Sequence, residues 1–183
     1  MCAAASCFGR VRVMRTVKHM AVALALAGLA AGPALASAPS PTKRVDASNY
    51  SGRWYEIARI PNKLQRDCLA PTVDYTFERN RVRAVQRCEG SNGREKVYRS
   101  SGRILDPGVN IRTRLTFAGF WAQEYWVIDH APDWALVGDP TGRFLWLMSR
   151  RPTLPAAVRN DAVSRIQALG YNSERLEFTG AVR

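Results

Sequence analysis

Histidine is almost missing from this chain: there are two in 183 residues, His19 and His130. With so little imidazole, and no His/Cys/Asp/Glu spacing of the kind that holds a metal, no metal centre is expected. Other catalytic signatures are absent too. There is no Gly-x-Ser-x-Gly elbow and no glycine-rich phosphate loop. His130 follows Asp129 directly, and adjacent strand residues face opposite ways, so the two do not form a ready dyad. No apolar run reaches the ~20 residues of a membrane-spanning helix. Internal repeats are lacking, and biased composition is confined to the first 48 residues. Acidic residues are few, 15 against 27 basic, for a net charge of +12. Such a balance suits nucleic acid, an anionic lipid surface or an anionic ligand, and equally suits arginines that solvate the outside of strands. The arginines lack the basic–aromatic alternation of a single-strand platform, so nucleic acid is not an expected partner.

What is present begins with a leader. Lys18 and His19 precede an apolar run from Met20 to Gly32, and Pro33-Ala34-Leu35-Ala36 supplies a small-x-small cleavage site. Residues 1–36 are therefore read as a signal peptide, with Met14 as an alternative start, and the mature chain is expected to begin at Ser37. Losing Arg10, Arg12, Arg15 and Lys18 with it lowers the net charge from +12 to +8. Cys2 and Cys7 lie ahead of the apolar run, and no cysteine follows it closely, so a lipid-anchored N-terminus is not expected. Residues 37–48, rich in Pro and Ser, read as a linker. Two cysteines remain, Cys68 and Cys88. An even count in an exported chain favours a disulfide, with a free thiol or reactive pair as the alternative.

From Arg53 the chain is strand-prone, and Pro61 ends the first strand. Alternation points Glu56 inward with Trp54 and Ala58. A polar stretch at 62–71 carries Cys68. In the second strand Val73, Tyr75 and Phe77 face one way, and Thr72, Asp74 and Thr76 the other. A turn near Arg79 leads to a third strand, and this hairpin brings Cys88 within reach of Cys68. A fourth strand spans Glu95 to Leu105, with Gly102 as a bend or bulge. A fifth spans 110–117, with Ile111, Thr113, Leu115 and Phe117 on one face. The next three, Glu124–His130, Trp134–Gly138 and Phe144–Ser149, are apolar on both faces and require a cover. The stretch from Pro155 to Leu169 supplies it, with Val158, Ala162, Ile166 and Leu169 on one helical stripe and Gly170 as the stop. A short last strand, Arg175–Thr179, follows. The fold expected is all-β: eight sequential antiparallel strands in an up-and-down barrel with one C-terminal covering helix. A β-sandwich is the alternative, and hairpin order and the late helix argue against it. Eight strands leave an interior just wide enough for one small ligand.

Asn49-Tyr50-Ser51-Gly52-Arg53-Trp54-Tyr55-Glu56-Ile57-Ala58-Arg59 resembles the first signature of the lipocalin family, in its bacterial and apolipoprotein D-like branch. Asp129 matches the acidic position of the family's middle motif, though Ile128 and His130 replace its usual neighbours. Leu147-Met148-Ser149-Arg150, followed by Pro152-Thr153, is similar to the third. The resemblance covers residues 49–180. It implies that Gly52, Trp54, Asp129 and Arg150 are structural, with Trp54 on the floor of a ligand-binding barrel and Arg150 packed over it. It also makes 62–71 a large loop at the mouth.

The expected function is non-enzymatic transport or storage of a small apolar ligand, a fatty acid or lysophospholipid, in the bacterial periplasm, without a cofactor. Trp54, Glu56, Tyr75, Phe77, Tyr125, Val127, Trp146 and Met148 are the expected ligand-binding residues. For each aromatic the competing reading is ordinary core, and for Glu56 a hydrogen-bonded structural carboxylate. The pocket is expected at ~300–1,000 Å³, with anionic head groups modestly preferred if arginines ring the mouth. The alternatives are an enzyme using a cavity thiol and a membrane-surface or protein-binding module. A soluble periplasmic or secreted monomer or weak homodimer is expected, with peripheral contact to the outer membrane left open.

Overall fold

The computed structural model describes Pro39 and residues 43–108 and 112–179. The leader, most of the linker, and Asn110 and Ile111 of the fifth strand fall outside the described residues. One helical turn, α1 (Ala47–Tyr50), enters β1 (Gly52–Arg59). There follow β2 (Leu69–Glu78), β3 (Arg81–Glu89), β4 (Glu95–Ile104), β5 (Arg112–Phe117), β6 (Trp121–Ala131), β7 (Trp134–Gly138) and β8 (Leu145–Ser149). Neighbours in sequence pair antiparallel from β2 to β8, β8 pairs with β1, and β1 pairs with β2, which closes the barrel. Helix α2 (Ala156–Ala168) and a two-residue β9 (Glu177–Phe178) complete the chain. β9 is bonded outside the barrel, opposite Ala58 and Arg59, beyond the point where β2 leaves β1.

Alternating strand direction sorts the connections into two ends. α1 and the start of β1 lie at the floor, together with the β2–β3, β4–β5 and β6–β7 turns. The β1–β2 loop and the β3–β4, β5–β6 and β7–β8 turns lie at the mouth. Gly52 opens β1 at φ +89, a left-handed conformation costly for any residue with a Cβ.

The two-faced strands are explained by two separate cores. Inside the barrel, Trp54, Val73, Val82, Leu115, Val127, Val137 and Met148 pack together. Outside, Ile57, Ile128, Leu136, Leu145 and Leu147 pack against Ala162 and Ile166 of α2. At ~0.8 kcal/mol per buried methylene, this outer cluster holds the helix in place, since α2 has no side-chain N-cap at Pro155.

Several boundaries differ from the sequence reading. β6 begins at Trp121, not Glu124, because Ala118 (φ 49) and Gly119 (φ 81) make a tight turn that pairs Phe117 with Trp121. Pairing runs without a shift through Gly102, so it is no bulge. It is instead a close approach: a Cβ there would lie 1.8 Å from the Arg114 carbonyl oxygen. The last strand is shorter than expected, since Ser173–Arg175 forms a 3-10 turn. The end of the stretch read as a linker is ordered, with Val45 buried against the inner core.

Ala58 does not follow Trp54 and Glu56 inward. The register shifts between Glu56 and Ala58, inserting one residue into β1. Ala58 thereby joins Ile57 in the outer core, and Arg59 turns into the barrel, 1 % exposed.

Candidate functional site

The floor is a stack. The Arg150 guanidinium sits 3.9 Å from the Trp54 ring centroid, as the third-motif resemblance implied. Its Nη1 donates to the carbonyls of Ser51 (2.9 Å) and Arg53 (3.0 Å), and its Nη2 to that of Asn49. Against the indole packs the Tyr50 ring, centroids 4.6 Å apart, and the Tyr50 carbonyl accepts from Trp54 Nε1. Just outside, Asp129 accepts from Lys43, from the His130 N–H and from Arg165 of α2. Burial draws its carboxyl upward, and these three donors outweigh it, holding the group below the usual aspartate range.

The mouth is built differently. A 3-10 turn, Lys63–Gln65, is started by the Asn62 side chain, which accepts from the Gln65 N–H. The turn folds over the barrel and carries Gln65 inward until it is 5 % exposed. There Gln65 Nε2 donates to Glu56 Oε2 (2.8 Å), while its Oε1 accepts from Trp146 Nε1 (2.9 Å) and Asn62 Nδ2 (2.6 Å). Arg59 binds the other side of Glu56, Nη1 to Oε1 at 2.9 Å, and reaches the carbonyls of Gln65 and Cys68 and the Glu177 carboxylate. Burial raises the Glu56 pKa to about 7, with Arg59 and Gln65 pulling against it and Glu177 adding to it. The Cys68–Cys88 disulfide (Cα–Cα 5.3 Å) ties the end of this loop to β3.

Beneath Gln65 opens a cavity of about 100 Å³, walled on one side by Glu56, Tyr75 and Met148, and on another by Tyr125, Trp146 and Val137. Five of the eight expected ligand-binding residues line it: Glu56, Tyr75, Tyr125, Trp146 and Met148. Trp54, Phe77 and Val127 do not. They belong to the packed inner core, Trp54 and Phe77 against the Tyr50 ring, which fills the floor half of the barrel. The volume also falls short of the ~300–1,000 Å³ expected, with Gln65 buried over the cavity and Leu64 at its edge.

Sequence reasoning missed Arg59, Gln65, Tyr98, Ser100 and Phe117. The last three had a signal, since they continue the inward alternation of β4 and β5. Arg59 had none, because a one-residue insertion in a strand leaves no mark in the pattern. Among the described residues, no group of three or more His, Cys, Asp or Glu could hold a metal ion.

The geometry defines a class first: a closed antiparallel barrel, packed shut at one end, with a mostly apolar cavity beneath a polar cluster. Residues 45–181 match the model of the lipocalin-like domain, and the chain belongs to that family, whose members bind small hydrophobic ligands. Over 148 residues it is 26% identical to temperature-induced lipocalin-1 of Arabidopsis thaliana, covering 75% of this chain and 80% of that protein. Over 146 residues it is 29% identical to the outer membrane lipoprotein Blc of Escherichia coli K12, covering 74% and 82%. Among solved structures, lobster apocrustacyanin A1 superposes with a TM-score of 0.63 at 14% identity, over 81% of this chain and 92% of that one, a likeness of fold alone. The disulfide suits an oxidising compartment. Among the described residues no helix is long and apolar enough to cross a membrane.

Proposed function

We propose that this protein is a non-enzymatic carrier or store of an acyl lipid, a fatty acid or lysophospholipid, in the bacterial periplasm. The observation that carries this reading is the cavity: mostly apolar walls at the mouth end of a barrel packed shut at its floor, with the Glu56–Gln65 hydrogen-bond cluster at its rim. An acyl chain enters such a site methylenes down and head group up as the side chains over it, Leu64 and Gln65, move aside. The leader, residues 1–36, delivers the chain to that compartment, and two relatives carry names that place them at the outer membrane. The thiol-enzyme alternative has little to work with, since Cys68 and Cys88, the two cysteines among the described residues, are bonded to each other. Twelve buried methylenes contribute a gross ~10 kcal/mol. Ordering costs bring the dissociation constant to roughly micromolar or below. The test is mass spectrometry of small molecules extracted from protein purified from its native compartment. A stoichiometric acyl lipid supports the reading; a pigment, quinone or metal chelate in its place overturns it.

A further inference from the structure

The cavity is too small for the ligand proposed, and Gln65 is the buried side chain of its roof, beside the exposed Leu64. Gln65 is anchored through its main chain: Arg59 holds its carbonyl at 2.9 Å, Asn62 holds its N–H at 3.0 Å, and the disulfide fixes Cys68 three residues on. Its carboxamide is the movable part. That carboxamide fills a slot with a hydrogen-bond acceptor on one side, Glu56 Oε2, and a donor on the other, Trp146 Nε1, while Asn62 Nδ2 also donates to its oxygen from within the loop. The Glu56 and Trp146 bonds are at ordinary hydrogen-bond length, and both side chains also line the cavity below.

We infer that Gln65 holds the place of the ligand's polar group, and that the group exchanged for it is uncharged, with a donor and an acceptor close together. A hydroxyl, a carboxamide or a protonated carboxyl meets that requirement. An ionised carboxylate or a phosphate satisfies Trp146 but sets its charge against Glu56. The inference rests on the acyl-lipid reading and narrows it: a fatty acid binds as the neutral acid, and a lysophospholipid presents its glycerol hydroxyl while its phosphate stays in water. Exchange begins with rotation of the Gln65 side chain, which gives up its bonds to Glu56, Trp146 and Asn62.

The charged and titratable groups around the slot give the inference a pH signature. Glu56 faces Arg59 on its own strand, Glu177 of β9 and Tyr75 of β2. The two carboxylates outnumber the one guanidinium, so a third negative charge is disfavoured while Glu56 is ionised. As pH falls through about 7, Glu56 takes up its proton and the penalty on an anionic head is relieved.

The test is calorimetric titration of delipidated full-length protein with dodecanol, dodecanamide and dodecanoic acid, at pH 8 and at pH 5.5. At pH 8 the two neutral ligands should bind at least ~10-fold more tightly than the acid, about one hydrogen bond's difference. At pH 5.5 the gap should close. Gln65→Ala vacates the slot and should tighten the neutral ligands further, while Trp146→Phe keeps the ring, removes the donor and should weaken them. Equal binding of all three heads at both pH values, or a Gln65→Ala protein with unchanged or weaker affinity for the neutral ligands, overturns the slot while leaving the carrier reading intact. No saturable binding of any of the three overturns both.

Discussion

Each end of the barrel carries an arginine, and the two arginines work in opposite ways. Arg150, at the floor, lies half-exposed over Trp54 and donates to three main-chain carbonyls. No carboxylate is needed. Arg59, at the mouth, is 1 % exposed and held by a buried carboxylate, an exposed one and two carbonyls. A stack on an indole tolerates water at its edge. A buried ion pair depends on every partner being present, because an unmatched charge there has no solvent to turn to. The floor is built as a permanent seal and the mouth as a polar cluster whose members can be exchanged.

Removing the two arginines sharpens that contrast. Arg59→Ala strands Glu56 beneath Gln65 and should cost ~3–5 kcal/mol, read from chemical denaturation. Replacing both Cys68 and Cys88 with Ser frees the loop that carries Gln65. With a sequence separation of 20, the loss should be ~3 kcal/mol, a midpoint fall of more than ~5 °C. Arg150→Ala should cost less, ~1–2 kcal/mol, since the stack is partly exposed. Arg83→Ala, on an exposed outer face 3.8 Å from Glu78, should lie within ~0.5 kcal/mol of neutral. Equal costs for Arg59→Ala and Arg150→Ala would dissolve the distinction between the ends.

The same contrast appears in pH dependence. Glu56 titrates near 7 in the fold and ordinarily at 4.5. Its contribution is therefore full below pH ~4.5 and is lost as pH rises through about 7. Asp129, at the floor end, is shifted down from 3.8. Its contribution is full above that value and is lost as pH falls through its folded pKa. Denaturation midpoints across pH 4.5–7 should decline in the native protein and flatten in Glu56→Gln. A slope unchanged by that substitution would mean the carboxyl does not titrate in this window.

The floor was legible in the sequence and the mouth was not. Gly52, Trp54 and Arg150 are local strand chemistry plus a motif, and they met as the resemblance implied. The double-faced apolar runs at Val127–Ile128 and Leu145–Met148 required a cover, and α2 is that cover. The mouth is assembled by two features without a sequence mark: the insertion at Ile57, which turns Arg59 inward, and a 3-10 turn that drops Gln65 through the rim. Both override simple alternation, which is why Ala58 was placed on the wrong face. The same simplification extended the cavity down to Trp54, Phe77 and Val127, where Tyr50 fills the space. Chain order showed which residues face inward, but not how far down the barrel stays open.

The most direct test of the account is a titration of delipidated protein with acyl chains of increasing length, from eight to eighteen carbons, followed by intrinsic tryptophan fluorescence. With Trp146 in the cavity wall and Trp54 sealed in the floor, binding should be saturable and quench the signal. Affinity should rise ~4-fold per methylene at first, as ~0.8 kcal/mol each implies, then level off once the barrel is full. Trp146→Ala should remove most of the quench without unfolding the protein. No saturable binding at any chain length would contradict the carrier account.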